Sequence, residues 1–119
     1  MDESRYLDLA HGTFRRILDA FDAIDVDEAD AESAGDVITI TWKDGSRCVV
    51  NTQRPVRQVW LAGGARAWHF DWDEASGSWL DDKGSGAELC ATIEAIARDK
   101  GIAIAIARAA RPAGSAGER

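Results

Sequence analysis

The stretch Asn51-Thr52-Gln53-Arg54-Pro55-Val56-Arg57-Gln58-Val59-Trp60-Leu61-Ala62 decides how this chain folds. Gln58 to Ala62 has the character of a strand, and side chains on a strand alternate between its two faces. With Val59 and Leu61 turned into a core, Gln58 and Trp60 face the other way, towards solvent. The largest apolar side chain of the segment would then stand on the wet side of a sheet. A sheet that is covered on one side only is required, and antiparallel sheets allow that. The alternatives are that a loop covers Trp60 or that the polarity of the strand is reversed.

The neighbouring segments supply the rest of such a sheet. Ala29 to Ser33 alternates alanine with acid and reads as a short strand. In Val37 to Trp42, Ile38, Ile40 and Trp42 share one face, and Thr39 and Thr41 the other. Asp44-Gly45 supplies a hairpin turn. Arg47 to Asn51 returns, with Val49 expected in the core, and Pro55 falls in a connecting loop. Gly63-Gly64 and Gly77 turn the chain into Ala67 to Trp72 and then Ser78 to Leu80. Links this short join antiparallel neighbours, which gives a meander of five or six strands.

A helix is expected on each side of the meander. Tyr6, Ala10, Phe14, Ile17, Phe21 and Ile24 form an amphipathic stripe after a Ser4 cap, with Asp8, Asp19 and Asp22 on the side away from it. A second helix is expected from Ser85, with Glu88 completing a capping box, Leu89, Ile93, Ile96 and Ala97 as its stripe, and Gly101 as its stop. Ile102, Ile104 and Ile106 then alternate with alanine as a last strand or a strand-like tail against the core. Two helices cover one side of the sheet, so the fold class is α+β, a two-layer sandwich. Residues 1–107 form the single domain, and 108–119, rich in Ala, Gly, Pro and Arg, are expected as a disordered tail.

Charge is concentrated. Asp19, Asp22, Asp25, Asp27, Glu28, Asp30, Glu32 and Asp36 lie between Ile17 and Asp36 with no Lys or Arg among them. That window carries −8 of a net −7, so the remainder sums to +1. Such a field repels nucleic acid and anionic membranes and attracts cations or a basic protein surface. On charge alone it could also be a solvated face that keeps the chain soluble. Cys48 and Cys90 stand far apart, with no zinc-ligand spacing, and are expected as reduced, partly buried thiols. No apolar run is long enough for a bilayer, and the acids of Met1 to Arg5 do not suit a signal peptide, so a cytoplasmic location is expected.

The pattern Asn-x-Gln-x-Pro-x-x-Gln-apolar-Trp-Leu-small, met by Asn51, Gln53, Pro55, Gln58, Val59, Trp60, Leu61 and Ala62, resembles the frataxin family, most closely its bacterial type. His69-Phe70-Asp71 and Gly77-Ser78-Trp79 match further on, and the resemblance runs from about Glu3 to Ile106. It implies a non-enzymatic, iron-binding regulator of iron–sulfur cluster assembly, or an iron donor to it, that binds the cysteine desulfurase and often its scaffold partner. It implies a monomer, which iron could drive into an oligomer. The resemblance places metal-binding carboxylates at Asp19, Asp22, Asp25, Asp27, Glu28 and Asp30, with Glu3 as an N-terminal acid. Asp19 and Asp22 would serve the partner as well, together with Trp60, Gln58, Asn51 and Gln53. Leu18 and Ala23 stand where related chains often carry acids, which thins the paired carboxylates.

Exposed oxygen ligands suit iron as Fe2+ or Fe3+ and accept other hard divalent cations, weakly and reversibly. His69 would share the face of Trp60 if their strands pair, and His11 has nothing to recommend it as a ligand. Two competing readings use the same acids: a weak ferroxidase, and a metal-independent acidic adaptor.

Overall fold

The computed structural model describes residues 1–108 of the 119. Helix α1 (Glu3–Asp22) leads into six strands: β1 (Ala29–Ala34), β2 (Val37–Trp42), β3 (Arg47–Gln53), β4 (Gln58–Gly63), β5 (Arg66–Asp73) and β6 (Ser78–Asp81). Helix α2 (Leu89–Asp99) follows. The strands pair in chain order, every neighbour antiparallel, so the meander expected from the short links is what forms. Both helices pack on one side of the sheet, giving the two-layer α+β sandwich.

The core fills the space between the layers. Tyr6, Ala10, Phe14, Ile17 and Phe21 reach it from α1, and Leu89, Ile93 and Ala97 from α2. The sheet contributes Ile38, Ile40, Trp42, Val50, Val59, Leu61, Phe70 and Trp79. Two buried polar contacts fix how α1 sits. The Trp79 indole N–H donates to Thr13 Oγ1 at 3.0 Å. The Tyr6 hydroxyl donates to the Gln58 carbonyl at 2.6 Å and accepts from the Gln53 amide at 3.1 Å, clasping the two ends of the Pro55 turn.

Three local expectations are corrected, and one left between two alternatives is settled. The cap of α1 is Asp2, whose carboxylate accepts from the Arg5 amide at 2.8 Å, and Ser4 lies inside the helix. The cap of α2 is Glu88, whose carboxylate accepts from Cys90 and Ala91. Gly86 has a φ of +83°, which a helix cannot continue through, so Ser85 instead bonds Asp81 in the preceding turn. Val50 rather than Val49 is the core valine of β3, because pairing with β2 sets Val50 opposite Ile38 and Val49 opposite Thr39. Of the two alternatives for Ile102 to Ile106, the tail against the core is the one that forms: Ile102 and Ile106 are buried in the core without joining the sheet, and the Ile106 amide donates to Glu94 at 2.8 Å.

The expected tail begins at Arg108, which is described and pairs with Glu94 at 3.0 Å and with Glu88 at 3.3 Å. Residues 109–119 lie outside the described residues. Both cysteines are buried and free. Burial pushes both thiols up, that of Cys90 to about 12, which keeps them protonated at neutral pH.

Gly63 is set by close packing rather than by its backbone angles. A Cβ there would stand 2.6 Å from Cys48 Sγ on the adjacent strand. Gly63→Ala is therefore expected to destabilise the fold by about 1–3 kcal/mol through overpacking. Adding Cys48→Ala should recover part of that loss. Urea midpoints of the two single variants and the double variant check this, and strictly additive losses would contradict it.

Candidate functional site

Two sets of residues stand out on the surface, one along an edge of the sandwich and one on the open side of the sheet. The edge is formed where the C-terminal half of α1 meets β1. Asp19 and Asp22 are exposed on α1, Asp25 and Asp27 are exposed in the turn beyond it, and Asp30 and Glu32 lie on β1. Asp25 accepts from the Asp27 amide at 2.9 Å, which shapes the turn. Among the described residues these six carboxylates form no ion pair.

Their placement is costly. The last turn of α1 carries no basic residue, so Asp19 and Asp22 face the negative end of the helix dipole as well as each other. Folding alone gives no reason to gather them there.

The other two acids of the window are spent on structure. Glu28 pairs with Lys43 at 3.3 Å. Asp36 accepts from Arg54 at 3.0 Å, from Thr52 at 3.1 Å, and meets His11 Nε2 at 3.0 Å. The Arg54 guanidinium, with desolvation opposing it and His11 and Thr52 adding to it, holds the Asp36 carboxyl below the usual carboxylate range. Glu3 belongs with this cluster, 3.9 Å from Arg54. It lies sixteen residues before Asp19 on the same helix, roughly 24 Å away along the axis. The geometry therefore brings Asp19, Asp22, Asp25, Asp27 and Asp30 to one border, sets Glu28 there with its charge compensated, and leaves Glu3 at the far end. Among the described residues, no three of His, Cys, Asp or Glu converge closely enough to hold a metal ion together.

The sheet side answers the question posed by Trp60. Val59 and Leu61 are fully buried, and Trp60 lies on the opposite, open face. It is not bare, as the alternation alone suggested. Strand pairing sets Asn51, Trp60 and His69 in one row across β3, β4 and β5. The His69 ring stacks on the indole with centroids 4.1 Å apart and planes at 17°. The indole N–H donates to Gln58 Oε1 at 2.8 Å. Gln58 in turn donates from Nε2 to Asp71 at 3.1 Å and Asp82 at 3.0 Å. Asp82 also stands 3.9 Å from His69 Nδ1, which closes the network around the ring pair.

The indole is thus half-buried and held in one orientation, with both polar and apolar edges defined. Gln53 pairs with Gln58 on the same face, so Asn51, Gln53, Gln58 and Trp60 are brought together as the sequence suggested. Asp71 and Asp82 were missed, since nothing near them in the chain signals that they anchor Gln58.

The two sets share a surface. Asp30 and Glu32 pair with Thr41 and Thr39, which places them on the same open face as Trp60. Between them lie Thr39, Val49 and Ala62, small or apolar side chains in one row. Three strand spacings separate β1 from β4, about 14 Å. One partner can therefore touch the acidic border and the aromatic pair at once.

These features define a small α+β sandwich with an acidic edge that is uncompensated among the described residues and an aromatic pair presented on an open sheet. The family model of the Frataxin-like domain matches residues 1–101, and the chain belongs to that family. The iron-sulfur cluster assembly protein CyaY of Pseudomonas aeruginosa is 40% identical over 101 residues, covering 85% of this chain and 92% of that one. The protein of the same name from Tolumonas auensis is 37% identical over 89 residues, covering 75% and 82%.

The solved frataxin of Psychromonas ingrahamii matches with a TM-score of 0.77 at 26% identity, over 87% of this chain and 96% of that chain. Trimeric frataxin of the yeast Saccharomyces cerevisiae shows the same fold, with a TM-score of 0.67 at 23% identity over 77% and 78%. Among the described residues no helix is long and apolar enough to cross a membrane.

Proposed function

We propose that this chain acts in iron–sulfur cluster assembly as a non-enzymatic, iron-binding regulator or iron donor, docking on the cysteine desulfurase, and on the scaffold beside it, through its acidic edge. The observation that carries this is the set of six carboxylates from Asp19 to Glu32, unpaired among the described residues and gathered at a helix end that disfavours them. A basic protein surface supplies the missing countercharge, and Trp60 with His69 gives the contact an aromatic anchor, a side-chain type enriched in interface hot spots. The names carried by the related proteins support the pathway.

Iron is cargo here rather than a resident cofactor. With no three-ligand cluster among the described residues, a cation would be held by one or two carboxylates and its own water, hence weakly and exchangeably. The same spacing works against a ferroxidase, which needs closely paired acids in a sheltered site. A metal-independent adaptor uses the same edge and differs only in its indifference to iron. A cytoplasmic monomer is the form proposed for this role.

The deciding experiment is a sulfur-production assay with the cognate desulfurase, run with and without added iron across ionic strengths. The chain is expected to bind more weakly as salt rises, and to change the rate in an iron-dependent way. Binding that ignores salt would overturn the acidic-edge reading; salt-sensitive binding with no response to iron would replace the regulator by the adaptor.

A further inference from the structure

An open sheet has two edge strands, and this one covers only one of them. Outside β6 runs the chain leading into α2, where Leu80 bridges to Glu88 and the Asp81 amide donates to the Ala87 carbonyl at 2.9 Å. β1, the other edge, has β2 on one side and, among the described residues, no strand on the other.

The ladder shows which backbone groups of β1 are spare. The Lys43 amide donates to the Glu28 carbonyl at 2.9 Å, so Glu28 and Lys43 face each other as a hydrogen-bonded pair. Such pairs alternate along antiparallel strands. Asp30 and Glu32 are therefore the residues that bond β2, opposite Thr41 and Thr39, while Ala31 and Ser33 turn their N–H and C=O groups outward. Among the described residues no backbone group outside the sheet meets them.

The surroundings suit an added strand. α1 runs antiparallel to β1, since His11 meets Asp36 just past one end of the strand and the Ala29 amide donates to the Asp25 carbonyl at the other. Between helix and strand lies a groove of about 310 Å³, walled by Phe14, Leu18, Asp19 and Asp22 of α1 and by Ser33 and Gly35, with His11 and Arg15 also lining it. The two faces of β1 differ in kind. Ala31 and Ser33 are small and turn to the helix layer, opposite Ile40 and Ile38, whereas Asp30 and Glu32 turn to the open side.

We infer that β1 accepts one more antiparallel strand, an extended segment of the partner that docks on the acidic edge, in which small apolar residues alternate with Lys or Arg. Its apolar residues lie opposite Ala31 and Ser33 and meet Leu18 across the groove, and its basic residues lie beside Asp30 and Glu32. Backbone pairing supplies affinity and the alternating side chains supply selection, as in other cases of strand addition. The acids exclude a second copy of this chain, because two β1 strands set edge to edge would bring like charges together. The inference rests on the acidic-edge reading above and adds to it how the contact is made.

A titration of the 15N-labelled full chain with an acetylated, amidated heptapeptide of alternating lysine and valine tests this. Saturable amide shifts are expected at Leu18, Ala31 and Ser33, with a Kd below about 1 mM at low salt. Hydrogen exchange at the Ala31 and Ser33 amides should slow about tenfold in the complex, and that at Asp30 and Glu32, already bonded to β2, should change little. Methylating the valine amide nitrogens keeps every charge and removes the donors that face β1, so binding should weaken about tenfold. An alternating glutamate and valine heptapeptide should not bind. Ser33→Pro removes an outward donor and no bond to β2, a change that edge strands tolerate, and its amide spectrum checks the fold. It should weaken both the peptide and the desulfurase about tenfold with every charge of the edge in place. Equal binding of the methylated and unmethylated peptides, or shifts centred on Trp60, overturns strand addition and leaves the acidic edge as a contact made by charge alone. Peptide binding that ignores salt overturns both.

Discussion

Trp79→Ala is expected to cost about 3–5 kcal/mol, the range for truncating a buried aromatic. Trp79 is 1% exposed and sits where three structural decisions meet. Its ring packs edge-on against Tyr6 at 6.0 Å and Trp72 at 5.3 Å. Its N–H bonds Thr13, whose hydroxyl donates to the Leu9 carbonyl at 2.9 Å and accepts from Arg16 at 3.0 Å. Removing the indole therefore opens a cavity, breaks two aromatic contacts and removes a buried donor from Thr13 at once.

Against a total stability of roughly 5–15 kcal/mol for a domain, such a loss leaves little margin. Thermal unfolding should fall by roughly 10–25 °C. Two milder variants separate the contributions. Trp79→Phe keeps a ring but loses the hydrogen bond, and Thr13→Val strands the indole N–H, each at about 1–3 kcal/mol. If Trp79→Ala melted within a few degrees of the parent, the central role given to β6 and α1 packing would be wrong.

The same residue shows what a sequence displays and what it conceals. That Trp79 is apolar and sits in a short strand after Gly77 is visible in the chain; that it bonds Thr13, 66 positions earlier, is not. Alternation revealed Ile38, Ile40, Val59 and Leu61 because each repeats at a spacing of two along its strand. It failed at Val49 and Val50, two identical residues in succession, where only the pairing with Ile38 settles which one faces inward.

Caps failed for a similar reason. Ser4 and Ser85 have the right chemistry, but a cap is fixed by where the backbone leaves helical angles, and Asp2 and Glu88 occupy those points. At the site, the face of Trp60 was legible, whereas its cover was not, since His69 and the Gln58 anchors Asp71 and Asp82 come from β5 and the turn after β6. The acidic window was conspicuous, yet only contacts with Arg54 and Lys43 show that Asp36 and Glu28 are structural while Asp19, Asp22, Asp25 and Asp27 form no ion pair among the described residues.

Replacing Asp19, Asp22, Asp25 and Asp27 together by Asn is expected to separate binding from stability. The change removes four negative charges and takes the net charge from −7 to −3. Association with the desulfurase should slow by on the order of 100-fold at low salt, since electrostatic steering raises encounter rates by about 10–1000-fold. At high salt the variant and the parent should converge, because screening already removes most of the same attraction.

Stability should move the opposite way. The four carboxylates form no ion pair among the described residues, and two of them oppose the dipole at the end of α1, so neutralising them relieves repulsion and the melting temperature should hold or rise. Asp36→Asn supplies the contrast, since it removes the charge that Arg54 pairs with and one of the two acceptor oxygens shared among Arg54, Thr52 and His11, and should lower stability while leaving most of the binding intact. Acids retained only for solubility would show the gain in stability without the loss of binding. A quadruple variant that binds the desulfurase as fast as the parent at low salt would mean that the edge is a solvated face and that the contact must be carried by the sheet around Trp60 alone.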